Sequence, residues 1–230
     1  MVGWLRAMIP ERGGFGAIVT GRIPLLHALT AHPDGTNDIV DAVAVDDNNN
    51  LYAGGRFTTA GLVAANRVAK WDGQAWSALG SGISGQYDNV MALATRGVDL
   101  YVGGRVSAAG GVPATGIARW DGSWHALGSG AQGVYGLAFD SRGNLYVAGS
   151  FTTAGGMTVN NIARWRPYGG GGGAWSPLGS GTDDLVWALT TVGTDVYVGG
   201  YFLHAGDKMS WYIGAWKPQL EYGYLPVALR

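Results

Sequence analysis

The stretch Val134-Tyr135-Gly136-Leu137-Ala138-Phe139, followed by Asn144-Leu145-Tyr146-Val147-Ala148-Gly149-Ser150-Phe151, decides the fold. It runs on through Asn161-Ile162-Ala163-Arg164-Trp165 and closes on Trp175-Ser176-Pro177-Leu178-Gly179-Ser180-Gly181. Four short apolar runs are each bounded by Gly, Asn, Asp or Thr. β-branched and aromatic residues fit a pleated surface and the small polar residues permit turns, so the stretch predicts four consecutive antiparallel strands.

Most of the chain repeats this pattern. Tyr52, Tyr101, Tyr146 and Tyr197 are 49, 45 and 51 residues apart, and Trp71, Trp120, Trp165 and Trp216 keep the same intervals. The block between the two landmarks therefore has fixed length, and insertions such as Gly169 to Gly173 fall outside it. The first unit spans about 39–82, with strands expected at Val40 to Val45, Leu51 to Thr58, Arg67 to Trp71 and Trp76 to Leu79. The second covers about 89–130, the third about 133–181, and the fourth runs from Val186 to Leu229. Residues 1–38 are read as a degenerate N-terminal unit with strands between Ile18 and Leu29, because His27-Ala28-Leu29 echoes His125-Ala126-Leu127. Residues 39–230 then hold the four full repeats, in a single domain with that N-terminal part.

A period of 45 to 51 residues with four strands per unit indicates an all-β, β-propeller-like fold, since one small sheet cannot bury both faces without neighbours. Leu145-Tyr146-Val147-Ala148 and Leu100-Tyr101-Val102 are apolar at successive positions, which predicts burial on both faces. The pairs Gly54-Gly55, Gly103-Gly104 and Gly199-Gly200 follow such strands and mark close backbone approach. The pairs Trp71/Trp76, Trp120/Trp124 and Trp165/Trp175 are expected in the core. Four full units and a partial one suggest a five-bladed ring closed by pairing the two ends of the chain, with a fragment of a longer ring or an open arc as the alternatives.

Composition limits the partners. With 230 residues, 47% of them apolar, the chain can bury a sizeable core. Fifteen basic against sixteen acidic residues leave a net charge of −1, so nucleic acid and anionic membranes are not expected. Cysteine is absent, which removes disulfides and thiolate chemistry. No apolar run reaches the roughly 18 to 20 residues of a membrane span, and Met1 to Thr20, broken by Pro10 and Gly13-Gly14, lacks the apolar segment of a signal peptide.

Paired glycines after an apolar strand, with a Trp at a fixed distance, resemble kelch repeats and the propeller of galactose-oxidase-type proteins. Asn161-Ile162-Ala163-Arg164-Trp165 and Trp120-Asp121-Gly122-Ser123-Trp124-His125-Ala126-Leu127-Gly128-Ser129-Gly130 are more similar to repeats of large bacterial surface or secreted proteins. The resemblance covers about 39–229 and implies an extracellular or cell-surface setting. Copper oxidases of the kelch-like group use a cysteine-crosslinked tyrosine, for which this chain has no cysteine.

Candidate site residues are those where the copies disagree. The second residue of the first strand is Asp41, Met91, Tyr135 or Trp187 inside an otherwise uniform frame, and a fixed frame with variable side chains is where ligand specificity is written. Asp38, Asp88 and Asp184 precede the first strand in three units, with Gln132 in the other, and read either as a ring of acids at a channel mouth or as strand caps. Arg56 and Arg105 follow the glycine pairs, where Ser150 and Tyr201 stand elsewhere, and are expected to pair with neighbouring acids or face a ligand. Asp46, Asn48 and Asn50 alternate as in a calcium loop, but Phe57 stands where the bidentate Glu belongs, so they predict a turn, as do Asp140 and Asn144. The histidines, His204 included, form no metal set by spacing, and no metal or cofactor is expected.

A regular repeat without a catalytic constellation leads to the expectation of a non-catalytic binding or structural module, with a protein or glycan ligand. One alternative is a glycan-active hydrolase or lyase with acids at the channel mouth and stacking by Tyr135 and Trp187. Another is a filament or sheath subunit that self-associates through open blade edges.

Overall fold

The computed structural model describes residues 18–20, 35–85, 87–168, 171–218 and 224–227. Among them the elements are strands and turns, with no helix. Each repeat folds into a four-stranded antiparallel sheet whose strands follow chain order. Blade 1 contains Val40–Val45, Leu51–Gly55, Val68–Trp71 and Trp76–Ala78. Blade 2 contains Asn89–Arg96, Asp99–Arg105, Ile117–Trp120 and Trp124–Ala126. Blade 3 contains Val134–Phe139, Leu145–Gly149, Ile162–Pro167 and Gly173–Pro177, and blade 4 contains Val186–Val192, Asp195–Gly200, Ile213–Pro218 and Tyr224–Val227. Ile18–Thr20 pairs in parallel with Val40–Val45, on the edge away from the rest of blade 1. The remainder of the expected N-terminal strands, to Leu29, lies outside the described residues.

The second strand of each blade ends at or one residue after the Gly-Gly or Ala-Gly step, earlier than the expected Thr58 in blade 1. The chain then makes a small hairpin, Thr59–Ala60 with Val63–Ala64 in blade 1, before the third strand begins. Thr-Thr-Ala-Gly and its copies are turn chemistry, which ends a ladder rather than extending it.

Blades pack face to face. Val90 and Leu93 of blade 2, Val134 and Leu137 of blade 3, and Val186 and Leu189 of blade 4 are buried at equivalent positions of the first strands. A β-carbon at Gly54 would overlap the Val90 side chain, and one at Gly103 would overlap Val134. Gly54 and Gly103 thus make room for the next blade's valine. Burial of each such Val or Leu is worth roughly 1.5–3 kcal/mol, so the inter-blade seams hold the array together.

The tryptophans stitch the outer strands across the same seams. Trp71/Trp76, Trp120/Trp124 and Trp165/Trp175 sit 5.5, 5.2 and 5.3 Å apart with tilted rings. The Nε1–H of Trp124 donates to the carbonyl of Leu79 and that of Trp175 to Leu127, each at 2.8 Å and each one blade back. Trp76 stands in the first described blade, and its buried Nε1–H lacks a partner. Trp124, Trp165 and Trp175 are buried as expected, whereas Trp71, Trp76 and Trp120 are only partly covered.

The Asp46 and Asp140 turns are a second recurring device. Asp140 Oδ1 accepts the backbone N–H of Arg142 and Asn144, while Oδ2 accepts the Asn144 side chain and the Tyr146 hydroxyl. Asp46 does the same with Asn48, Asn50 and Tyr52. Every carboxylate oxygen is used inside the loop, so these are turns, as the sequence predicts, and not cation cages. Burial, followed by the adjacent Asp46 charge, pushes the Tyr52 hydroxyl well above its ordinary pKa and keeps it a donor.

Gly55, Gly104 and Gly200, the second glycines of the pairs, and Gly149, which follows Ala148 at the same place in blade 3, each face a carbonyl of their own blade. At Gly149 a β-carbon would overlap the carbonyl oxygen of Gly133, which accepts the Ser150 N–H at 3.0 Å. Gly149→Ala is therefore expected to cost about 2–4 kcal/mol in urea unfolding, against under about 0.5 kcal/mol for Gly172→Ala, whose surroundings are open.

Candidate functional site

The four variable residues of the first strands share one backbone feature. The ladder shifts between Val40 and Ala42, between Gly103 and Gly104 opposite Ala92 and Val90, between Val134 and Gly136, and between Val186 and Ala188. Asp41, Met91, Tyr135 and Trp187 are thus the extra residues of four β-bulges. A bulge leaves its extra residue out of the ladder and re-aims its side chain. The bulge also explains the adjoining glycine. The residue before the first strand turns its carbonyl toward the neighbouring strand end, where Ile39 O accepts from Arg56 N at 2.9 Å and Leu185 O from Tyr201 N at 3.1 Å. Only glycine fits beneath those carbonyls at Gly55 and Gly200. Consequently the residue after each glycine pair lies beside a bulge residue, at the same end of every blade.

In blade 1 the neighbours are Asp41 and Arg56. Arg56 Nε lies 3.5 Å from Asp41 Oδ2, an ion-pair contact without hydrogen-bond geometry, and that oxygen is buried with no hydrogen-bond partner. Burial raises the Asp41 carboxyl above its ordinary value. The Arg56 charge and the Asn89 side chain oppose that rise, and the Asp38 charge adds to it. Asn89 belongs to blade 2, and its own Oδ1 is also buried without a partner. Asp41 thus sits on the seam between two blades, half-buried, with its carboxyl pKa raised and one oxygen unsatisfied. Asn89 was not singled out by sequence, where it reads as an ordinary strand opener.

In blades 3 and 4 the neighbours are aromatic. Tyr135 and Trp187 stack with ring centroids 4.6 Å apart and planes 20° from parallel. Tyr201 meets Trp187 edge-on at 6.2 Å. Arg105, opposite Asn89 in the blade 2 ladder, is exposed and makes no ion pair among the described residues. Met91 is partly buried at the blade 2 bulge.

The other acids serve the backbone. Asp38 Oδ1 accepts the Ile39 N–H and Asp184 Oδ1 the Leu185 N–H. The Asp88 carboxylate takes both the N–H and the hydroxyl of Ser107. His204 Nδ1 lies 2.8 Å from Asp183, and His125 Nε2 lies 2.9 Å from Asp121. No three metal-ligating side chains cluster among the described residues.

A cleft of about 490 Å³ opens at this end between blades 2 and 3. Its lining includes Thr115, Ser129, Gln132, Ser150, Thr153 and Asn161. Gln132 replaces the acid, and Ser150 replaces the arginine or tyrosine, of the other copies. The small neutral residues leave space lined by hydroxyl and amide groups, the donors and acceptors that sugar hydroxyls require.

No family model matches the sequence, and no curated protein matches it. Among solved structures, the fold is similar to that of a gluconolactonase from Xanthomonas campestris, at 16% identity and TM-score 0.51 over 81% of this chain. This chain spans 61% of the length of that one. YCF48 bound to D1 peptide also matches, at 13% identity and TM-score 0.38, over 80% of this chain and 64% of that one. The chain has a β-propeller fold. The expectation of a non-catalytic module is corrected by the gluconolactonase: it rested on reading a regular propeller as a binding or structural scaffold, and an enzyme built on the same fold removes that ground.

Proposed function

We propose that the bulge end of the blades is the active site of a glycan-active hydrolase. The observation that carries this reading is Asp41, a half-buried carboxyl with one oxygen unsatisfied, flanked by Arg56 and Asn89 on a blade seam. A carboxyl whose pKa burial raises is better suited than an ordinary aspartate to donate a proton to a leaving oxygen, as general acid. The second carboxylate that glycoside hydrolysis requires is assigned to Asp38, whose charge acts on Asp41 and which holds the Ile39 N–H through Oδ1 alone. Tyr135, Trp187 and Tyr201 give sugar rings an apolar platform, and the cleft beside Ser150 and Gln132 binds their hydroxyls. The repeats themselves belong, on this reading, with those of bacterial surface proteins.

The test is a reducing-sugar assay over a panel of bacterial and plant polysaccharides and aryl glycosides. Asp41→Asn is expected to lower kcat at least 100-fold with an unchanged melting temperature, and Trp187→Ala to raise KM. As general acid, Asp41 must be protonated, so activity is expected to fall as pH rises through its raised pKa. Panel-wide inactivity of the wild-type chain, or an Asp41→Asn variant with wild-type kcat, overturns the reading.

A second reading, self-association, is favoured by blade 4. Ile213 is 49% exposed, while its counterparts Val68, Ile117 and Ile162 are fully buried. Around it Tyr201, Leu203, Trp211 and Tyr212 are exposed, where the other copies carry mainly Arg, Ser, Thr, Asn and Gly. Blade 1 keeps Val40 and Val43 half-covered at the positions that fill each internal seam. We infer that blade 4 of one chain receives blade 1 of a second copy, repeating the internal seam. Light scattering after size exclusion is expected to give multiples of 23.9 kDa that revert to the monomer in Ile213→Glu. A wild-type monomer at micromolar concentration contradicts it.

A further inference from the structure

At the opposite end of the blades, a cleft of about 330 Å³ is lined by Arg96, Arg142, Arg164, Arg166 and Asn144, and no carboxylate lines it. The four guanidinium groups come from three elements: the end of Asn89–Arg96 in blade 2, the first turn of blade 3, and the strand Ile162–Pro167. Their grouping in a chain of net charge −1 is a local concentration of positive charge that mutual repulsion opposes.

The equivalent places in the other blades contain acids. In blade 2, Arg119 is held between Asp99 at 3.1 Å and Asp121 at 2.7 Å. In blade 4, Lys217 faces Asp195 at 3.6 Å, and in blade 1 Lys70 is followed two residues later by Asp72. The ladder registers Leu100 with Trp120 and Leu145 with Trp165, so Asn144 stands where blade 2 has Asp99, and Arg166 stands where it has Asp121. Blade 3 has lost both acids and gained a cation. The neighbouring Asp140 is buried, turns both of its oxygens into its own loop and does not line the cleft.

Two of the arginines are positioned. The Arg96 guanidinium lies 5.9 Å from the Phe139 ring centre and rests against Gly143, where a β-carbon would overlap it. Arg164 Nε donates to Ser176 Oγ at 3.0 Å. Among the described residues, Arg96, Arg142 and Arg166 make no ion pair. Guanidinium groups present paired N–H donors that match the oxygens of tetrahedral oxyanions.

We propose that this cleft binds a small multiply charged oxyanion, a phosphate or sulfate group carrying at least two negative charges, independently of the bulge-end site. The direct test is isothermal titration calorimetry of the full chain with pyrophosphate, sulfate and acetate. One pyrophosphate is expected per chain, with sulfate weaker, acetate not bound, and affinity falling as sodium chloride is raised. Stronger sulfate than pyrophosphate binding, equally sensitive to the variants, would assign the site to sulfate groups within the same proposal. Arg166→Asp restores the Arg-x-Asp spacing of Arg119 and Asp121, and is expected to weaken binding more than tenfold while leaving unfolding by urea unchanged. Arg142→Ala, on an exposed turn, serves as the second variant, with a similar loss expected. Acetate bound as tightly as pyrophosphate, no binding of either dianion, or binding unaltered in both variants overturns the proposal.

Discussion

Everything in this structure depends on how closely one carbonyl can approach the second glycine of each pair. The carbonyl before each first strand must reach the end of the second strand, and a side chain there would block it. That approach creates the bulge, the bulge expels one residue from the ladder, and the expelled residue meets the one after the glycine pair. Asp41 beside Arg56 and Trp187 beside Tyr201 are two outcomes of one backbone arrangement. The frame is fixed by sterics, and only the side chains hung on it vary.

The same repetition makes departures readable. Valine and leucine fill three seams, against Gly54, Gly103 and Ala148, so an isoleucine left exposed where its three counterparts are buried indicates a surface awaiting a partner. An arginine neutralised by two acids in blade 2 becomes, in blade 3, one of four arginines. Each copy is the control for the others.

Much of the fold was legible from the sequence. The shared intervals of Tyr52 to Tyr197 and Trp71 to Trp216 locate every sheet, because packing between sheets tolerates no length change between those landmarks. The positions of Asp41, Met91, Tyr135 and Trp187 were also legible, as variation inside a constant frame. Their bulged conformation was not, since nothing in Val-Asp-Ala-Val shows that one residue lies outside the ladder; the paired glycine opposite was the available signal. Asp38 and Asp184 each hold the backbone N–H of the next residue, a local bond that a carboxylate beside an unpaired N–H takes readily, whereas Asp88 reaches across to Ser107. Asn89 and the arginine cleft depend on contacts between different blades, which spacing along one repeat does not encode. The non-catalytic reading failed for a different reason: fold regularity says nothing about whether chemistry occurs on it.

The central claim is that each sheet is stable because neighbours cover both its faces. Native-state hydrogen exchange tests this most directly, by comparing Leu145–Gly149, enclosed between blades, with Asp195–Gly200, beside the exposed Ile213. The account predicts that the enclosed strand exchanges at least 100-fold more slowly in the monomer, about 2.7 kcal/mol of added protection. Equal rates for the two strands would contradict it.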